Sequence, residues 1–400
     1  MRTPSVIAKN IFSLTAMKGV TSLFPLIVVP YLISTIGIEK YGVVIFALSF
    51  VAYFNTLIDY SFKVTAVREI SRIQNDKKAI DEIVSNVIST KVCFLLLSLV
   101  LGSALIFITP IFKDEMIVFL LILSSVIGYA LLPNWFFMGV EKMEYIALFT
   151  VIFKTLHVLA IFIAVKSFSD YWIYALIITL ESGLIALAGL ILMRYKFKVK
   201  FKFSSFGQIK KQVYKNSGLF LNQFVPNLYN NTTTLLLGFF GGASITGAYG
   251  VLRKITNVAE SIIGIISNAF FPAINRSSKN AKQFRKIQWI TTTALCIALI
   301  AGSAILLDIF KVNGGETFWA LIILTLGIIG LTMYEVYGLN YFIINKEDRL
   351  VYINTLLFSI LGFLLAFPVI YWGGIIGAAS IVTFTRIFIG GRLFWKFQFS

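Results

Sequence analysis

Among the charged side chains inside stretches of sequence that are otherwise almost wholly apolar, ten stand out, together with one histidine. The bases are Lys18, Lys91, Lys154, Arg253, Lys254 and Arg386; the acids are Asp59, Glu181, Glu260 and Glu335; the histidine is His157. An ionised group at hydrocarbon depth is costly, so such residues tend to face a cavity or a partner and to mark a path for ions or polar cargo. Six bases against four acids lean cationic, which suits an anion, and arginine adds a two-armed grip on phosphate. Lys91 and Asp59 lie near the ends of their stretches, where a side chain can snorkel its charge to the lipid headgroups.

Spacing links several of these residues. Arg253, Asn257, Glu260, Gly264 and Asn268 follow one another at i, i+4, i+7, i+11 and i+15, which is one face of a helix. Gln223, Asn227, Asn230 and Thr234 make an uncharged polar stripe, Thr15, Lys18, Ser22 and Pro25 make another, and Lys154 and His157 share a face at i, i+3. Such groups either join helices by hydrogen bonds, at about 0.6 kcal/mol each, or line a polar cavity. The amide and hydroxyl stripes fit both readings equally, whereas Lys18, Lys154 and Arg253 favour the cavity. The expected cargo-binding set is Lys18, Lys154, Arg253 and Arg386 for phosphate, with Gln223, Asn227, Asn230 and Asn257 for sugar hydroxyls. Together they suit a large, anionic, hydroxyl-rich cargo.

The candidates for ion coupling are Glu260, Asp59, Glu181 and His157, with Glu260 first because it shares a mid-stretch face with Arg253. A static salt bridge between those two is the plain alternative. Their two-turn separation, about 10.5 Å along a helix axis, argues against direct contact unless long side chains or a third residue close the gap. His157 by itself reads more readily as a packing histidine.

The elements that must position these residues are transmembrane helices. The chain of 400 residues is 58% hydrophobic and only 13% charged, with a mean hydropathy of +0.87; soluble domains carry roughly 25% charged residues. Apolar stretches run over 12–33, 42–62, 86–108, 116–138, 145–165, 172–193, 218–239, 245–270, 288–309, 317–342, 350–371 and 374–394. Each is near the ~20 residues that span a bilayer core. Placing the N-terminus in the cytoplasm puts 25 of the 35 Lys and Arg in cytoplasmic loops, and the opposite loops hold only Lys40, Lys113, Lys166 and Lys311. Loop charge of this kind sets orientation. The expected fold class is therefore all-α and polytopic, with 12 transmembrane helices, both termini cytoplasmic, and two six-helix bundles over 1–193 and 216–400.

A basic cytoplasmic linker, 194–215, joins those bundles. Within it, Tyr195 to Phe203 alternates basic and apolar residues, a strand-like period that reads as a linker lying at the headgroups. A weak internal echo, Tyr41-Gly42-Val43 and Tyr249-Gly250-Val251, opens the second and eighth stretches. An even number of crossings gives the halves the same orientation, and two facing bundles enclose a cavity that can open to either side in turn.

Several functions are excluded. The +17 net charge resides in membrane-flanking loops, with no soluble basic domain to bind nucleic acid. One histidine, no phosphate-cradling glycine loop and no nucleophile elbow leave no enzyme chemistry. Cys93 and Cys296 lack metal spacing and read as buried, inert thiols. The N-terminal apolar run is too long for a signal peptide, carries Lys18 and lacks a small-residue cleavage site.

Several motifs point to a family. They are Ile38-Glu39-Lys40-Tyr41-Gly42 through Phe46-Ala47-Leu48-Ser49-Phe50, Asp59-Tyr60-Ser61-Phe62, Arg68-Glu69-Ile70-Ser71-Arg72, Pro133-Asn134-Trp135-Phe136-Phe137 through Met143, and Phe270-Phe271-Pro272-Ala273-Ile274-Asn275-Arg276. Over its whole length the chain resembles the Wzx-type O-antigen flippases, in the polysaccharide-transporter branch of the superfamily that includes the MATE exporters. The resemblance implies a MATE-like fold in the bacterial inner membrane and no cofactor. Its expected task is to carry undecaprenyl-diphosphate-linked oligosaccharide repeat units to the periplasmic leaflet by alternating access, with proton or sodium antiport. An O-antigen polymerase and a chain-length regulator are the implied partners. Asp59 sits where the family often has an acid. A MATE-type exporter of small cations is disfavoured by Lys18, since cation exporters often place an acid in the first span. A lipid II flippase usually has fourteen spans; a teichoic-precursor flippase and a non-transporting scaffold complete the alternatives.

Overall fold

The computed structural model describes residues 4–73, 76–276 and 279–399, with the side chains of 4–12, 14, 222, 223, 226–228, 272, 273, 275, 276 and 279 outside the description. Among the described residues the chain is helical, with no strand. In an apolar solvent every backbone N–H and C=O must pair internally, and helices do this within one segment.

Two very long helices carry glycine breaks. Helix α1 (Pro4–Asp59) is interrupted at Gly37, at φ 79°; unbroken, its 56 residues would measure about 84 Å, far beyond a bilayer core. Between them come α2 (Phe62–Arg72), α3 (Lys77–Ile108), α4 (Met116–Leu131), α5 (Asn134–Gly139), α6 (Met143–Ala164), α7 (Tyr171–Tyr195), α8 (Phe206–Phe240), α9 (Gly242–Arg276), α10 (Lys279–Ala301), α11 (Ser303–Ile309) and α12 (Gly315–Met333). A π-helical segment, Tyr334–Ile343, continues α12. Helix α13 (Asp348–Gln398) breaks at Gly374, at φ 49°. The chain turns back there, because Asn354 Nδ2 donates to the Ile389 carbonyl at 2.8 Å.

All twelve apolar stretches lie on these helices. Among the described residues seven helices are long and apolar enough to cross a membrane, or eight if α10 and α11, bent by 62°, make one span. Helix α9 is not among them, for it concentrates Arg253, Lys254 and Glu260. Outward faces are apolar: Leu96, Leu97 and Val100 on α3, Ile163 on α6 and Leu364 on α13 are all exposed. Cys93 lies on the α3 exterior and is exposed, correcting the expectation of a buried thiol, whereas Cys296 is buried.

The chain forms two compact units. The first comprises Met1–Thr21 and Ala47–Phe224, the second Ser22–Phe46 and Val225–Ser400. In the first, Phe62, Ile70, Trp135, Phe136 and Phe137 are buried in one cluster, so three of the diagnostic motifs supply its core. In the second, Tyr229, Phe284, Tyr337, Phe342 and Leu393 do the same. Here too the two echo motifs meet. A Cβ on Gly42 would lie 1.8 Å from the Ala243 carbonyl oxygen, and one on Gly250 would lie 2.9 Å from Ile45. Tyr41 and Tyr249 are fully buried beside them.

The linker is docked on α3. The N–H groups of Lys200, Lys202 and Ser204 donate to Asp81 Oδ1, Ser85 Oγ and Ser89 Oγ of α3 at 2.9, 3.1 and 3.0 Å. Two residues of extended chain advance about 6.6 Å, close to the ~6 Å of four helical residues. The period-two pattern therefore records an extended chain laid along a helix.

Candidate functional site

The second unit holds a cluster of three charges, with Arg386 buried and Glu260 and Arg253 half-buried. Arg386 on α13 grips Glu260 on α9 with both arms, Nη1 to Oε1 at 2.7 Å and Nη2 to Oε2 at 2.9 Å. Arg253, two turns earlier on α9, donates to Oε1 from Nη1 at 3.2 Å. The side chains are 8% (Arg386), 15% (Glu260) and 17% (Arg253) exposed. The axial distance that argues against an Arg253–Glu260 contact is thus closed by the long side chains themselves, while Arg386 binds the same carboxylate from another helix. Two guanidiniums on one carboxylate leave one positive charge in excess, and Arg253, with its single longer contact, is the one held less tightly.

Close helix packing places Arg386. A Cβ on Gly330 of α12 would fall 2.5 Å from the Arg386 carbonyl carbon, and Thr383 Oγ1 donates to the Ile323 carbonyl at 2.7 Å. Small residues at such a contact let backbones approach in lipid, where no hydrophobic drive brings helices together. Beside the cluster is a cavity of 140 Å³ lined by Tyr229, Tyr334, Thr355 and Arg386. None of the first three stands out by charge, so sequence reasoning passed over them.

The first unit carries a second cluster. Lys154 Nζ on α6 lies 2.8 and 2.9 Å from the two carboxylate oxygens of Glu181 on α7, and His157 Nδ1 lies 2.7 Å from Oε2. The same small-residue device sets the helices: a Cβ on Gly128 would meet the Ser182 carbonyl carbon at 2.4 Å, and Thr179 Oγ1 donates to the Leu121 carbonyl at 2.6 Å. The face shared by Lys154 and His157 is the one that meets Glu181.

The other expected residues lie on α1, α8 and α9. Lys18 is exposed on α1, Asp59 half-buried at its end, and Asn230 and Asn257 half-buried on α8 and α9. The side chains of Gln223 and Asn227 lie outside the described residues. Lys91 does not snorkel: it is 3% exposed, its Nζ is 6.0 Å from the centre of the Tyr129 ring, and Asp59 is an acid acting on it electrostatically. Glu335 accepts from Ser267 Oγ at 2.5 Å, an interhelical contact that spacing within one helix could not reveal. Among the described residues no three His, Cys, Asp or Glu side chains converge on a metal-sized site.

The model of a family described as polysaccharide biosynthesis protein matches residues 7–278. The chain belongs to that family. Among its relatives, one from Escherichia coli strain K12, named as a candidate O-antigen transporter, is 24% identical over 95% of this chain and 94% of its own. Another from Shigella dysenteriae with the same name is 24% identical over 95% and 97%. Solved structures share the fold of this polysaccharide biosynthesis protein. The lipid II flippase MurJ in an inward closed conformation matches with a TM-score of 0.70 at 16% identity, over 97% of this chain and 86% of that one. An inward-facing MATE-family multidrug transporter of the MOP superfamily matches at 0.59 and 13% identity, over 97% and 93%.

Proposed function

We propose that this protein is a flippase that carries undecaprenyl-diphosphate-linked O-antigen or related polysaccharide repeat units from the cytoplasmic to the periplasmic leaflet of a bacterial inner membrane. The observation that carries the reading is the Arg386–Glu260–Arg253 cluster with its unbalanced cation. The family match and the names of the relatives support the cargo class, and the fold supports transport rather than enzyme chemistry.

In this reading Glu260 holds Arg386 in place, and Arg253 swings from the shared carboxylate to the cargo's diphosphate. A charge-assisted bond to phosphate replaces the weaker contact, so no cation is left unpaired at membrane depth. Asn230 and Asn257 meet the sugar hydroxyls. The breaks at Gly37 and Gly374 turn α1 and α13 into two crossings each, which together with α8 and α9 makes twelve, both termini cytoplasmic. The cargo crosses by alternating access. Coupling to a proton or sodium ion falls to Glu181 and His157, with Asp59 as a further acid. A polymerase and a chain-length regulator receive the delivered units.

The test is reconstitution. Vesicles containing the purified protein and a fluorescent polyprenyl-diphosphate oligosaccharide are challenged with an impermeant quencher. Transport quenches inner-leaflet cargo faster than in protein-free vesicles; equal rates contradict the reading.

A further inference from the structure

One cavity in the second unit takes no part in the charge cluster. It has a volume of 310 Å³, within the usual range of ligand pockets, about 300–1,000 Å³. Lys282 and Arg285 of α10, Tyr337, Asn340 and Tyr341 of the π-helical segment, and Phe397 of α13 line it, with no carboxylate among the lining residues. Long π-helical runs are rare and gather at functional sites; this one spans ten residues.

The polar groups are set for a ligand. Asn340 is 4% exposed, and its Nδ2 donates to Ser267 Oγ at 2.7 Å and to the Glu335 carbonyl at 2.9 Å. Ser267 Oγ in turn donates to Glu335 Oε2, so the amide cannot flip without setting oxygen against oxygen. Its Oδ1 is left buried with no donor, a state that native structures rarely tolerate. The Arg285 guanidinium lies 5.1 Å from the centre of the Phe397 ring. Stacking on a ring occupies a guanidinium's face and leaves its in-plane N–H groups to grip phosphate. Aromatic rings beside a polar residue offer apolar surface and polar contact to a hydroxylated ligand.

We propose that this pocket binds the headgroup of a phosphate ester rich in hydroxyls, with the phosphate between Lys282 and Arg285 and the hydroxyls against Tyr337, Asn340 and Tyr341. A phosphosugar and the headgroup of a glycerol phospholipid share that chemistry. Binding requires no transport, so the inference stands or falls apart from the flippase reading.

The full-length protein in phosphatidylcholine nanodiscs is titrated calorimetrically with N-acetylglucosamine 1-phosphate, and again with phosphatidylglycerol in the bilayer. Saturable binding is expected, weakened at least tenfold in Lys282→Gln/Arg285→Gln and several-fold in Asn340→Leu. Lys210→Gln/Lys211→Gln, which removes two exposed charges from the other unit, binds as the wild type does. Competition by phosphatidylglycerol assigns the site to the bilayer headgroup, and its absence assigns it to the phosphosugar. No binding by the wild-type protein, or equal loss in the two double variants, overturns the proposal.

Discussion

Arg386 and Glu260, 126 residues apart in sequence, meet through two parallel hydrogen bonds, 2.7 and 2.9 Å long, between α13 and α9. A buried pair of this geometry is strongly coupled, because removing one partner strands the other's charge, at a cost of about 3–5 kcal/mol. Glu260→Gln and Arg386→Gln are each expected to lower the detergent-solubilised melting temperature sharply. The double variant should lose clearly less than the sum. Additive losses across this cycle contradict the pairing.

Helix approach at Gly330 makes a second prediction. A methyl group there meets the α13 backbone at 2.5 Å, so Gly330→Ala is expected to cost about 1–3 kcal/mol through overpacking and to displace Arg386. Gly183 in α7 has open space around it, and Gly183→Ala should be neutral or stabilising by up to about 1 kcal/mol. Melting curves of the two variants check both signs.

The Lys154–Glu181–His157 cluster separates a structural role from a coupling one. Glu181→Gln leaves Lys154 and His157 without their shared acid and is expected to reduce the amount of folded protein. His157→Gln keeps the Lys154–Glu181 pair, so the protein should remain folded while the pH dependence of cargo movement flattens. A His157→Gln protein with an unaltered pH profile rules out a coupling role for that ring.

The docked linker predicts a protease phenotype. Ser85→Ala and Ser89→Ala each remove an acceptor for a linker N–H, and a hydrogen bond contributes roughly 1 kcal/mol net. Trypsin should cut at Lys198, Lys200 and Lys202 several-fold faster in the double variant, as read by fragment mass. Unchanged cleavage means that the segment is held some other way.

What was legible in the sequence depended on whether the cause was local. Apolar length fixed the helices, and the faces of Arg253–Glu260 and Lys154–His157 were readable because helical spacing is a property of one segment. The partners were not. Arg386 and Glu181 stood out only as charges in apolar surroundings, and nothing along the chain says that α13 delivers Arg386 to α9, which depends on the absence of a side chain at Gly330. Lys91 looked free to snorkel because depth along a helix is local, whereas its burial is set by the helices packed around it. The diagnostic motifs proved architectural: Ile70, Trp135, Phe136 and Phe137 lie in one core. The linker's period of two is strand-like in the sequence, but its match to the α3 turn needed the fold.

The most direct measurement of the central claim is cargo flipping in reconstituted vesicles by Arg253→Lys, Arg253→Gln and Arg253→Glu, each at wild-type protein level. If Arg253 is the cation that leaves Glu260 for the diphosphate, rates fall in that order and Arg253→Glu is inactive, while the pairing of Arg386 with Glu260 keeps all three folded. Wild-type flipping by the folded Arg253→Glu protein contradicts the account.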